Sequence, residues 1–328
     1  EIPKRPDVIN IEPPEERKPQ KLPRWRKIIG SISGAVFAGL LLYTSLALDL
    51  SALYQGGDFM GQYGWLYILM FLSFGIFAAS ISRKSSVREQ RLMSGKLSTR
   101  TKITMLLSLL LIPLTIWAGL KWGGGRKYML ISFAIIFETM LPFFLIFEGR
   151  KPQARELVIL SVLSALAIGG RAVFFAMPGF KPVAAMVILT GVAFGAEAGF
   201  MVGAMTMFCS NVLFGQGPWT PWQMFAMGIM GLLAGICFRK GILHRERFSL
   251  SVFGGLVTFL IYGGIMNPAS VLMYQANPDW QMILTAYITG VPADAIHALA
   301  TAMFLWFLSE TMLEKLDRVK VKYGLIEK

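Results

Sequence analysis

The chain has 328 residues, 55% of them hydrophobic and only 16% charged, with Lys+Arg 32 against Asp+Glu 19 and a formal net charge of +13. Soluble domains are about 45–50% apolar and about 25% charged. This composition, with two Cys, excludes an ordinary soluble globular protein, a disordered or collagen-like chain and a disulfide scaffold. The apolar residues fall in long blocks, the pattern of an all-α polytopic membrane protein.

In chain order, residues 1–27 are polar, Pro-rich and charged with both signs. They lack the short apolar core and small-residue cleavage site of a secretory signal and are expected to be a flexible cytoplasmic tail. Four spans follow, at 28–48, 63–82, 103–120 and 128–147. They make up an N-terminal four-helix membrane region, 28–150, whose role the sequence does not define. Its spans are rich in Leu, Ile and Phe, and its loops hold Gly123-Gly124-Gly125 and the basic stretch 83–102.

A basic loop, 148–155, separates these from six further spans at 156–177, 183–194, 199–214, 221–238, 249–266 and 284–309, which form a second domain, 151–310. This half is rich in Gly, Ala, Met and Pro; small residues let membrane helices approach closely, so a compact, ligand-holding bundle is expected. Residues 311–328 read as a basic cytoplasmic tail. The sequence shows no convincing internal repeat, which argues against an inverted-repeat transporter.

The two short segments 183–194 and 199–214 either turn at Gly195–Gly199 or run on as one helix. The positive-inside rule separates the two readings. With ten spans and both termini in the cytoplasm, 27 basic residues lie inside and four outside, with Arg171 in a span. Merging the two segments gives 18 against 13. Ten spans therefore fit better, and the positive charge belongs to cytoplasmic loops facing anionic lipid rather than to a nucleic-acid surface. Trp agrees, since it favours the interface: Trp65, Trp117, Trp122, Trp219, Trp222 and Trp280 fall near the outer boundary, Trp25 and Trp306 near the inner one.

Ionisable groups inside spans are costly and mark function or structural pairing. Glu138 lies near the middle of the fourth span. Arg171 lies near the outer end of the fifth, and Asp294 and His297 share one face of the last, just after Pro292. Arg171 and Asp294 sit at about 9 and 15 Å depth, at about 1.5 Å per residue; a structural ion pair and a ligand role are both open. His297 reads as a hydrogen-bonded core residue, and Cys209 and Cys237 as buried free thiols. No zinc spacing is present, and neither are GxxxxGK[ST], GxSxG, HExxH or CxxC, so no resident metal, cofactor or catalytic residue is expected.

The outer edge of the second half is denser in binding-type residues. The loop Phe214-Gly215-Gln216-Gly217-Pro218-Trp219-Thr220-Pro221-Trp222-Gln223 offers aromatic surface and amides, with Asn211 just below. Phe174, Phe175, Pro178 and Phe180 follow the fifth span, and Asn267, Tyr274, Asn277 and Trp280 precede the last. Aromatic surface with scattered amides suits a bulky, largely neutral, polar-decorated ligand; an aromatic belt at the headgroups explains part of the set. Ser161, Ala165 and Gly169, spaced by four, form a small-residue stripe on the fifth span.

Residues 181–204, Lys-Pro-Val-Ala-Ala-Met-Val-Ile-Leu-Thr-Gly-Val-Ala-Phe-Gly-Ala-Glu-Ala-Gly-Phe-Met-Val-Gly-Ala, followed by the Gly215–Gln223 loop, resemble the substrate-binding S component of an energy-coupling factor (ECF) transporter over about 155–310. The loop, with Arg171 and Phe174, is most similar to the S components assigned to cobalamin. The N-terminal four spans have no counterpart in that pattern.

The resemblance implies a non-enzymatic subunit of a prokaryotic cytoplasmic membrane that binds a vitamin at its outer face, cobalamin or a related corrinoid first. It implies docking through Ser161, Ala165 and Gly169 onto a coupling membrane subunit, and toppling driven by two cytoplasmic ATPases. The ligand contacts it suggests are Arg171, Phe174, Asn211, Gln216, Trp219, Trp222, Asn267 and Asp294. Two other classes stay open: a self-sufficient proton-coupled transporter using Glu138, Asp294 and His297, and an intramembrane enzyme using Asp294 and His297.

Overall fold

A computed structural model describes residues 23–47, 59–81, 99–122, 154–239, 241–275 and 277–323, with isolated positions between 134 and 145. Those residues form helices and no strands: α1 (Arg24–Ala47), α2 (Phe59–Ile81), α3 (Thr99–Trp122), α4 (Ala154–Val173), α5 (Val183–Phe194), α6 (Ala196–Phe214), α7 (Trp219–Arg239), α8 (Arg247–Val257), α9 (Gly264–Tyr274) and α10 (Trp280–Tyr323). A π-helical turn, Thr258–Gly263, joins α8 to α9 without a break. Among the described residues six helical segments are long and apolar enough to cross a membrane, and shorter apolar stretches include Val183–Phe194. The protein is an all-α polytopic membrane protein, as expected. Most of the fourth expected span, 128–147, the Gly123-Gly124-Gly125 run and most of the 1–27 tail lie outside the described residues.

Two helices differ from their expected lengths. The expected 249–266 segment belongs to a continuous span, Arg247–Tyr274, which contains Pro268; the Gly264 carbonyl that the missing N–H leaves free accepts from the Tyr287 hydroxyl at 2.7 Å. The last helix runs 44 residues, Trp280–Tyr323, about 66 Å at about 1.5 Å per residue and roughly twice the hydrocarbon thickness. It therefore continues into residues expected as a basic tail.

The centre of the molecule is α5. At 12 residues it is too short to span alone, yet every one of its residues is buried. Gly195 ends it: a single residue at φ 97, where a side chain would be strained, closes α5 with its N–H on the Gly191 carbonyl at 2.9 Å and starts α6. The expected break between the two short segments is thus real and one residue long. Around α5 the backbones of α6 and α7 nearly touch. A Cβ on Gly199 or on Gly231 would meet the other's backbone, and one on Gly203 would meet the backbone of Met227. In lipid, helices associate through such close van der Waals contact rather than through exclusion of water.

Among the described residues, a cluster of aromatic rings joins the N-terminal helices to the bundle. Phe37 of α1 and Phe74 of α2 pack with Phe174 and Phe180, from the connector after α4, and with Phe304 of α10. Phe74 lies 5.0 Å from Phe304 and 5.3 Å from Phe174, centroid to centroid, and all five rings are buried. Edge-on and tilted ring pairs of this kind add about 0.5–1.5 kcal/mol each beyond area burial. The remaining surface of α1 and α2 presents large apolar side chains outward, including Ile32, Leu42, Leu46 and Leu72, as lipid-facing helices do.

At the opposite end, the last turns of α10 fasten the bundle. Arg247 pairs with Glu310 at 2.6 Å, Arg245 with Asp317 at 3.3 Å and Lys320 with Asp317 at 2.9 Å. Lys320 also donates to the Ala193 carbonyl at 2.8 Å, placing a cation on the C-terminus of α5, where the helix dipole favours it.

Candidate functional site

Polar residues converge at the end of the bundle where α4 and α6 finish and α7 begins. Arg171, in the last turn of α4, donates to Ser210 Oγ at 2.5 Å and to Asn211 Oδ1 at 2.7 Å, and its guanidinium lies 5.2 Å from the Phe214 ring centroid. With Oδ1 taken, the fully buried Asn211 turns its amide N–H groups to Thr220 Oγ1 at 3.0 Å and Gln223 Oε1 at 2.8 Å. The network itself sets the amide orientation. Thr220 donates to Gln216 Oε1 at 2.7 Å, and Gln216 donates to the Phe208 carbonyl at 3.1 Å. The Gly215–Gln223 loop is thereby fastened to α6.

A second group comes from α9, α10 and the π turn. Asn267 donates to Asp294 Oδ2 at 2.7 Å. Glycines make the space: a Cβ on Gly263 would run into the Asp294 carboxylate, and one on Gly290 into the Asn267 amide. Tyr262, from the π turn, stands edge-on to His297 at 4.8 Å between centroids, and it bonds with Gln223, which links this group to the Arg171–Asn211 side. π turns recur at functional sites because they shift the register that aims a side chain.

The connector 174–182 closes the arrangement. Gly179, at φ +68, lies against α10, where a Cβ would press on Ile296 and the His297 backbone. Gly170 lies against Pro182. Lys181 is therefore held between the end of α4 and the 293–297 stretch of α10. Burial, and then the charge of Arg171, lower its ammonium to about 8.

Of the residues expected to contact ligand, Arg171, Asn211, Asn267 and Asp294 come together here. Arg171 and Asp294 each take other partners, Ser210 and Asn211 for the first and Asn267 for the second. Gln216 is exposed on the loop and Trp219 is half-buried, its ring against Gly217. Phe174 and Trp222 face the core instead: Phe174 joins the five-ring cluster, and Trp222 is 1% exposed, its indole N–H without a partner. Sequence reasoning did not single out Lys181, Ser210, Thr220, Gln223 or Tyr262 as ligand-facing.

Glu138 accepts from Thr115 at 2.6 Å in the N-terminal region. Among the described residues no direct hydrogen bond joins it to Asp294 or His297. Ser161, Ala165 and Gly169 are all exposed on one face of α4, and a Cβ on Gly169 would meet nothing within 4 Å. Cys209 and Cys237 are free thiols. No cluster of three or more His, Cys, Asp or Glu suited to a metal occurs among the described residues.

Residues 151–313 match a family model described as ECF-type riboflavin transporter, S component. Curated relatives include UPF0397 proteins of Vibrio atlanticus (28% identical over 125 residues, 36% of this chain and 68% of the relative) and Aliivibrio salmonicida (30% over 106 residues, 31% and 56%). Another, from Aliivibrio fischeri, is 32% identical over 122 residues, 35% of this chain and 66% of the relative. The chain thus spans between 56% and 68% of the length of these relatives. No solved structure matches. The match begins three residues before α4 and leaves α1–α3 outside it.

Proposed function

We propose that this integral membrane protein is the substrate-binding S subunit of an ECF-type importer. Its match to the S-component family covers the bundle from α4 to α10, and within it Arg171, Asn211, Gln223, Asn267 and Asp294 converge from five helices at one end. That convergence carries the reading, because buried polar groups drawn from several helices to one level are how a membrane bundle builds a specific site. The substrate is a vitamin that offers many hydrogen-bonding groups. Riboflavin is the first candidate, on the name of the matching family. Cobalamin is the second, on the resemblance of the Gly215–Gln223 loop.

In this reading the site faces outward and both termini face the cytoplasm. The exposed stripe of Ser161, Ala165 and Gly169 docks on a coupling membrane subunit. Two separate ATPase chains supply the energy, in keeping with a sequence that has no P-loop. The subunit itself performs no chemistry; it binds, topples and releases.

Calorimetric titration of the purified chain with riboflavin, cobalamin and folate tests the proposal. Submicromolar binding of one vitamin that is lost on Asn211→Leu is the expected result. Co-purification with a coupling subunit and ATPases, abolished by Gly169→Leu, is the second. A chain that binds none of the vitamins and retains no partner overturns the reading.

A further inference from the structure

We infer that the substrate carries an acidic group, a carboxylate or phosphate, and that Lys181 together with Arg171 is the pair that selects it. This rests on the proposed substrate-binding role and adds the chemical class. The connector that holds Lys181 packs on both sides, Gly170 against Pro182 and Gly179 against the Ile296–His297 backbone. The ammonium is thereby confined beside the end of α4, where Arg171 sits. Among the described residues it makes no hydrogen bond and no ion pair. The nearby carboxylate, Asp294, is turned to Asn267 instead, so it does not neutralise the lysine.

Two like charges at the edge of a low-dielectric layer repel; burial first, and the charge of Arg171 second, weaken the hold of Lys181 on its proton. A ligand oxyanion between the two cations removes the repulsion and gains charge-assisted hydrogen bonds. The remaining groups around it, Asn211, Gln223 and Tyr262, are neutral hydrogen-bonding partners suited to the rest of such a molecule.

The test compares acids with their neutral counterparts on the full chain in lipid nanodiscs: flavin mononucleotide against riboflavin, pyridoxal phosphate against pyridoxal, biotin against biotinamide. In at least one pair the acid is expected to bind tenfold or more tighter. That preference should vanish in Lys181→Met and return in Lys181→Arg. A neutral member that binds as tightly as its acid overturns the anion pair and leaves the S-subunit reading intact. Silence across all pairs overturns the anion pair as well; the S-subunit reading is then judged separately, by co-purification with a coupling subunit and ATPases. A preference for the acid that survives in Lys181→Met places the selectivity elsewhere and also overturns the proposal.

Discussion

The two ends of the chain solve the same problem differently. Helices α1 and α2 are apolar and turn large side chains outward, with their links to the rest concentrated in one ring cluster. Helices α5, α6 and α7 are apolar too, yet they turn inward and approach backbone to backbone through glycine. Hydropathy places both in a membrane; small residues separate a helix that lies against lipid from one that lies against protein. The site sits on the second kind, because precise placement of Asn211 and Gln223 needs the rigidity that close packing supplies.

The sharpest break in that comparison is Gly231→Leu. Its side chain would enter the Gly199 backbone, and overpacking of that order costs about 4–5 kcal/mol or prevents folding. Gly39→Leu and Gly75→Leu, on α1 and α2, meet nothing within 4 Å and should stay within about 0.5 kcal/mol. Thermal unfolding in detergent distinguishes the two cases. Equal effects would erase the difference between the regions.

Asn211→Leu should follow, at about 3 kcal/mol, because it strips partners from Arg171, Thr220 and Gln223 together. Substrate binding should fall with it. Phe74→Ala should cost about 2 kcal/mol, less than a comparable core truncation in water because lipid replaces part of the lost contact. Limited proteolysis should then release the N-terminal helices before the bundle unfolds.

A smaller, pH-dependent effect belongs to Lys181. Its ammonium titrates near pH 8, so affinity for an acidic ligand should drop as pH rises through 8, because the protonated form is the one that attracts the acid. Arg171 keeps its charge across that range, and among the described residues the other titratable groups on the elements packed there are Asp294, His297 and Tyr262. The neutral counterpart of the acid should show no such fall. Arg247→Ala should cost about 1 kcal/mol, since its pair with Glu310 keeps some contact with solvent, the side chains being 21% and 20% exposed.

Much of this architecture is legible in the residues. The break at Gly195 follows from charge balance between loops, and the polar status of Arg171, Asn211, Asn267 and Asp294 follows from their positions in apolar spans. Other features are not. Lys181 reads as an ordinary loop charge because the connector's folding back onto α10 has no local signal. Tyr262 is one aromatic residue in an apolar stretch, and nothing in Thr258–Gly263 announces a π turn. Trp222 resembles Trp219 in sequence, but helical periodicity from the start of α7 sends one to the core and the other to the loop. The extent of α10 is also hidden, because charged residues 310–320 look solvated until Arg245, Arg247 and the end of α5 supply their partners.

The five-phenylalanine cluster bears on motion as well as on attachment. The connector after α4 carries Phe174 and Phe180 on the side that meets α1 and α2, and Lys181 on the side that meets the site. A body that tilts in a bilayer drags the lipid around its perimeter, and these rings make α1 and α2 part of that perimeter. Tilting the bundle alone would require unstacking the rings. Tilting the bundle with both helices keeps the rings intact but sweeps a wider path through the lipid. In the proposed toppling mechanism, the stiffness of that small aromatic joint would set the size of the moving part, and with it the drag that a partner's ATP hydrolysis would have to overcome.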